Sequence, residues 1–317
     1  MSAVLHDVLP VFLLILTGYL TALGGLLKEE VGEALGQFVF RIAVPVLLFR
    51  TIALADVAGG TPVRLWIAYF SGVAVAWTVG HLVATLLFGR ERRIGVIAGV
   101  SSAFANNVFI GLPLVERVVG PDGMVAVSIL LAVHLPLMMI AGTVLMEAAV
   151  RRETGAEGRG IAAVVRQTLV NLAQNPLVIG LLAGSALHAT GLSLPSLVDN
   201  LTAQIAGIAG PAALLSLGMA LKRYGVSGNL GLSSVIAALK LVLLPASVWT
   251  SCHLLGLSPR WTAAMVLTSS VPTGVNAWLI ATRFNAGQGL AASAITLSTF
   301  FGVATVTFWA AFVGVGE

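Results

Sequence analysis

Charge is what this sequence most lacks. Only 9% of its 317 residues are Asp, Glu, Lys or Arg, against 58% hydrophobic, and the mean hydropathy is +0.99. A soluble domain needs a charged surface around its core, so the composition excludes one and leaves a polytopic membrane protein in contact with lipid. Lys and Arg exceed Asp and Glu by 17 to 13, but they sit in short connections between apolar runs and form no basic stripe with interleaved aromatics. Nucleic acid is therefore not an expected partner. The lone cysteine, Cys252, lies in an apolar run and offers neither a disulfide framework nor metal-ligand spacing. No cofactor is implied.

Carboxylates are scarce in a particular place. Asp7, Glu116, Glu147 and Asp199 fall at or near the ends of apolar runs, and no mid-run Asp pair exists to bind sodium or exchange protons. The sequence also lacks H-E-x-x-H, G-x-S-x-G and any acidic cluster suited to metal or nucleophilic chemistry. An enzyme is not expected.

What is present is apolar length. Windows of about 20 residues or more fall near 5–24, 34–55, 64–88, 94–118, 124–148, 170–190, 197–221, 231–255, 260–284 and 290–315. The fold class is thus all-α, with ten expected membrane spans. The opening run lacks the basic residues of a signal peptide and reads as the first span. The longest polar connection, Arg151 to Gly160, separates a first five-span unit (1–150) from a second (161–317). At an offset of 166, Pro10 meets Pro176, Gly18 meets Gly184, Gly25 meets Gly191, Pro45 meets Pro211, Gly59 meets Gly225 and Gly123 meets Gly289. Helix punctuation recurring in register signals an internal repeat.

With the N-terminus outside, the inner connections hold eleven Lys and Arg, including Lys28, Arg159 and Arg283, and the outer ones three, Arg64, Arg117 and Arg260. The positive-inside rule then places both termini outside. Five spans per unit is odd, so the second unit enters the membrane in the opposite sense. These are inverted repeats, an architecture of alternating access.

Two of the spans are interrupted. Ile94 to Val119 carries Asn106, Asn107, Gly111 and Pro113 near its middle; Ala263 to Phe284 carries Pro272, Thr273, Gly274 and Asn276. Breaks at membrane depth are tolerated only inside protein or against a water-filled cavity, and matched breaks in two halves point to a transporter's binding site.

The runs QFVFRIAVPVLLFRTIA, NNVFIGLPLV, NPLVIGLLAG and AGPAALLSLGMAL resemble the auxin efflux carrier family, which includes plant PIN proteins and bacterial malate or malonate permeases. The resemblance spans nearly the whole chain. It implies ten helices in two inverted five-helix repeats, helices 1, 2, 6 and 7 forming a scaffold and 3–5 with 8–10 a mobile transport domain. Broken helices 4 and 9 would cross at mid-membrane, and a homodimer would form through the scaffold. Asn106 and Pro113 match the family's N-x-G-x-x-G-L-P pattern and Pro272 its ninth-helix break, while Val108 stands where a glycine is common.

Helix halves that restart after the breaks direct free N–H groups and partial positive charge into the site, which suits an anion. Asn106, Asn107, Thr273 and Asn276, with Gly274 between them, could hold a carboxylate; alternatively their side chains satisfy carbonyls freed by Gly111, Pro113 and Pro272. Arg41 and Arg50 flank Pro45, nine residues or roughly 13 Å apart along a helix. Each lies about seven residues from an end of its window, within snorkelling reach, and Arg50 is the one set among the substrate-binding residues. Lys240 lies well inside its span, either snorkelling or standing in for a coupling sodium. His134 could carry a proton; His81 is a weaker case.

The expected function is a secondary transporter moving a small organic carboxylate across the cytoplasmic (inner) membrane, outward, by elevator-type alternating access. A sodium- or proton-coupled symporter of the same fold is the alternative, and a channel a third reading.

Overall fold

The computed structural model describes residues 2–55, 61–154, 166–167 and 170–314. Gly59 of the repeat, Arg159 of the inner charges and most of the connection between the two units lie outside them. The described residues form helices and no strand.

Seven helices are long and apolar enough to cross a membrane by length and composition. They are α1 (Ser2–Leu23), α2 (Glu29–Ala53), α3 (Pro62–Leu87), α6 (Pro121–Thr154), α8 (Ser196–Tyr224), α9 (Leu230–Leu254) and α12 (Gln288–Phe312). Shorter helices lie between them: α4 (Arg92–Ala103), α5 (Leu112–Val118), α7 (Pro176–Thr190), α10 (Pro259–Ser270) and α11 (Asn276–Arg283). Proline opens α3, α6, α7 and α10, where its missing N–H would have had no helical partner. Asn175 caps α7 by accepting from Leu177 N–H at 3.0 Å, and Asn229 caps α9 by accepting from Leu232 N–H at 3.0 Å.

Three wide π turns, Val39–Ala43, Asn107–Gly111 and Leu239–Leu243, each end two residues before a proline: Pro45, Pro113 and Pro245. A proline inside a helix removes one ladder bond and presses on the preceding turn. The extra residue in a π turn absorbs that pressure without ending the helix. Val108 sits in the second of these turns, and Asn285 is the sole non-glycine residue with positive φ among the described residues. The Val108 backbone thus has no need of glycine.

Bilayer-embedded helices associate through close packing, because lipid offers no hydrophobic contrast. Glycines allow that contact here. A Cβ added at Gly18 of α1 would lie 2.2 Å from the Leu215 carbonyl oxygen of α8, and one at Gly184 of α7 would lie 2.5 Å from that of Phe49 in α2. Gly218 and Gly180 approach the backbones of Ile15 and Pro45 in the same way. Large apolar side chains such as Leu13, Leu16 and Leu20 of α1 and Phe300, Phe301 and Phe308 of α12 face outward. By contrast α4 and α10 are buried all round from Gly95 to Ala103 and from Trp261 to Ser270. A helix apolar on every face belongs inside other helices, and these two hold the centre of the molecule.

Substituting Gly18→Leu should destabilise the purified protein by about 1–3 kcal/mol or more, the usual cost of overpacking, because the obstacle is backbone. Gly207→Ala, where a Cβ meets nothing within 4 Å, should be neutral. Thermal midpoints in detergent compare them; equal midpoints would refute the packing account.

Candidate functional site: the crossing of two broken helices

Helix α4 stops at Ala103 and α10 at Ser270, and beyond each the chain becomes extended, with Phe104 at φ −87, ψ 98 and Val271 at φ −65, ψ 157. The extended segments run antiparallel, joined by an isolated β-bridge between Ala105 and Thr273. Asn106 N–H donates to Pro272 O at 3.0 Å and Gly274 N–H to Phe104 O at 2.7 Å. Each break thereby pairs groups the other has stranded. Gly274 eases the approach, since a Cβ there would press to 3.2 Å from the Ala105 carbonyl oxygen. The prolines nest against glycines: Pro113 against Gly210 of α8, Pro272 against Gly302 of α12.

Side chains complete the pairing. Thr273 donates its hydroxyl to Ser101 O at the end of α4 (2.8 Å) and its N–H to Ser298 Oγ of α12 (3.0 Å). Its hydroxyl therefore serves the crossing. Lys240 is wholly buried and donates to Ser269 O at 2.7 Å and Val271 O at 2.5 Å. It does not snorkel: the ammonium sits on the carbonyl end of α10, where the helix dipole is negative. Asn107 donates its amide to the Tyr69 hydroxyl at 3.2 Å and lies 3.3 Å from Nε2 of His134, whose ring packs against Tyr69, Phe70 and Phe104. Asn106 Nδ2, Asn107 Oδ1 and Ser101 Oγ are buried without a partner among the described residues.

Two cavities flank the crossing. The first, about 880 Å³, lies between α2, α8 and the start of α7, and Phe109, Val275 and Leu279 reach it from the broken helices. The second, about 770 Å³, is bounded by α6, residues 166–167 and 170–175, and Asn276 and Arg283 of α11. The amino end of α11 lies between them, Val275 lining one and Asn276 the other, and no side chain caps it. Of its first N–H groups, that of Ala277 donates to Gly274 O at 3.1 Å, while those of Asn276 and Trp278 have no acceptor among the described residues, so this end can receive an anion.

The two arginines of α2 part company. Arg50 donates to Asp199 Oδ1 (2.5 Å), Asp199 O (2.7 Å) and Thr202 Oγ1 (2.8 Å) at the start of α8, and it lines neither cavity. Arg41 lines the first cavity. It is the middle residue of the 25 in α2, whose first turns carry Glu29, Glu30 and Glu33. Tyr69 and Ser298 carried no signal in the sequence, Tyr69 being one aromatic in an apolar run and Ser298 one of several hydroxyls from Ser293 to Thr299.

A family model for membrane transport proteins matches residues 3–310. The chain belongs to the auxin efflux carrier family. Relatives match along nearly its whole length. It is 27% identical over 314 residues to a Rhizobium meliloti protein named "Putative malonate transporter", covering 97% of this chain and 95% of that one. An "Uncharacterized transporter" of Methanothermobacter thermautotrophicus is 24% identical over 310 residues, 96% of each chain. The mouse "Lysosomal cholesterol signaling protein" is 23% identical over 309 residues, 92% of this chain and 35% of its own. Membership makes this chain a membrane transport protein of many passes.

Replacing Lys240 with Met strands two buried carbonyls, at about 1–3 kcal/mol each. The variant should melt well below the parent in detergent, and Lys240→Arg should fall between them. A Met variant as stable as the parent would show that the ammonium does not hold α10.

Proposed function

We propose that this protein is a secondary transporter of a small organic carboxylate, working by elevator-type alternating access. One observation carries the reading: the uncapped start of α11 lies between two cavities, beside a crossing held together largely by neutral groups. A carboxylate can lodge on helix N–H groups and the Asn106, Asn107 and Asn276 amides, and it can leave again because no fixed charge at that end holds it.

The ten-span count follows when α4 joins α5 and α10 joins α11 as two broken spans and the shorter apolar helix α7 counts as the tenth. Inverted repeats are supported by a contact the offset reproduces. Gly18 meets Leu215, Gly184 meets Phe49, and shifting by 166 exchanges one pair for the other. The scaffold would be α1, α2, α7 and α8, possible also as a dimer face, and the transport domain α3–α6 with α9–α12. The first cavity lies between these two bodies, on the end that carries Glu29, Glu33 and Arg223. With both termini outside the inner membrane, that end is cytoplasmic, which suits loading for export.

Lys240 places a permanent donor on the carbonyls of the second break, so transport should not need sodium. A proton-coupled variant of the reading rests on His134, which touches Asn107 directly.

Concentration jumps of malonate, malate, acetate and indole acetate onto proteoliposomes on a solid support, with tracer uptake for electroneutral exchange, test the proposal. We expect saturable, sodium-independent transport of at least one acid, weakened about ten- to a hundredfold in Asn106→Ala/Asn276→Ala, the scale of losing a hydrogen bond to a charged ligand. A strict sodium requirement would favour the symporter, dependence on a pH gradient lost in His134→Gln the proton-coupled form, and single-channel openings a pore. No flux of any acid would refute the organic-anion assignment.

A further inference from the structure

Four charged side chains line the first cavity: Glu29, Glu33, Arg41 and Arg223. Three of them form one group at its mouth. Arg223 pairs with Glu33 and, at 3.7 Å, with Glu29, so its charge is met twice over within the protein. Arg41 makes no ion pair and no hydrogen bond with any described residue. The other polar side chains that line the cavity are Gln37, Gln174, Ser216 and Tyr224, and the Ser216 hydroxyl is taken by Gly32 O at 2.9 Å.

A charge in the middle of a long apolar helix costs about 3 kcal/mol on insertion scales and usually marks a partner or a pathway. Arg41 is the thirteenth of the 25 residues of α2, and it rides on the π turn Val39–Ala43. Arg41 lies eight residues, roughly 12 Å, beyond Glu33, the last of the acidic residues that open α2. The cavity keeps it solvated. The same cavity reaches Phe109 and Val275 at the two breaks, so a single space of about 880 Å³ holds an uncompensated guanidinium and the amino end of α11. That volume lies within the usual range of small-ligand sites.

We propose that Arg41 is a specificity-determining residue that receives a second carboxylate of the transported anion, the first resting at the start of α11. This rests on the transport reading above. A guanidinium binds a carboxylate through two parallel N–H donors, with directionality that an ammonium lacks. A monocarboxylate fills only the α11 end and leaves Arg41 to water. A short dicarboxylate spans both. The charge on α2 therefore selects dianions over monoanions without adding a permanent charge to the crossing itself.

The phosphate of an anionic lipid could offer Arg41 the same chemistry from another source, and the test separates them. Purified full-length protein in nonionic detergent is titrated calorimetrically with malonate and with acetate, for the parent, Arg41→Gln, Arg41→Lys and the control Lys28→Gln, whose side chain lines neither cavity. The parent should bind malonate more tightly than acetate. Arg41→Gln should weaken malonate about ten- to a hundredfold and leave acetate unchanged, which also shows that the variant is folded. Arg41→Lys should recover part of the loss, and Lys28→Gln should match the parent. Equal losses for both acids, or none for either, would overturn the role of Arg41. So would unchanged malonate affinity with loss of phosphatidylglycerol binding, which would make Arg41 a lipid contact. A parent that binds neither acid would instead remove the transport reading, and this inference with it.

Discussion

Backbone groups stranded by a helix break inside a bilayer have no water to turn to, and each left unpaired costs several kcal/mol. Two such breaks in one chain double the problem, and their antiparallel meeting relieves both. Asn106 reaches Pro272 and Gly274 reaches Phe104, so the crossing is a miniature ladder in a structure otherwise made of helices. Other features follow from holding it in place. Helices α4 and α10 are sheathed by their neighbours, Gly302 makes room for the Pro272 ring, and Gly274 keeps a side chain out of the close approach of two backbones. The usual rule that broken helices line cavities holds too, since Phe109, Val275 and Asn276 all face open space.

The pairing is not symmetric, and the asymmetry carries chemistry. At the first break the Ser101 carbonyl takes a hydroxyl from Thr273. At the second, two carbonyls take the Lys240 ammonium. Under the proposed repeat, position 240 corresponds to Ala74, so the lysine breaks the symmetry of the duplicated architecture. A buried ammonium is costly unless its donors are occupied, and two carbonyls at the negative end of α10 occupy them well. An ion taken from solution could do the same work, but its departure would loosen the crossing at each cycle. A tethered cation instead holds the crossing together as part of the chain.

The positions of both breaks were legible in the sequence, because Asn, Gly and Pro inside an apolar window contradict a lipid-facing helix wherever they occur. Family membership was legible from four short runs, and Lys240 stood out as a charge far from a span end. Which partner each polar side chain would take was not legible. Thr273 reads as a free donor until Ser101 is seen opposite it, and Asn107 gives no hint of Tyr69 or His134, since those contacts join residues far apart in the chain. Which arginine of α2 lines a cavity was not legible either, for a related reason. A hydropathy window discounts Glu29, Glu30 and Glu33, so it starts the span late and sets Arg41 near an end. The helix itself begins at Glu29, which is why Arg41 is central.

If α2 belongs to the scaffold and α11 to the moving body, the two anion contacts separate when the transport domain shifts. A dianion would then be held at two points with the cavity open to one side and at one point after the shift. A ligand biases a two-state equilibrium only by its differential affinity for the two states, so Arg41 would favour the state in which both contacts exist. That same preference opposes translocation, which sets a limit on how strong the Arg41 contact can be. A solvated guanidinium at a cavity wall meets the limit, because water replaces the carboxylate as it leaves. The neutral amides at the crossing then accompany the substrate through the cycle, while charge recognition stays on the stationary side.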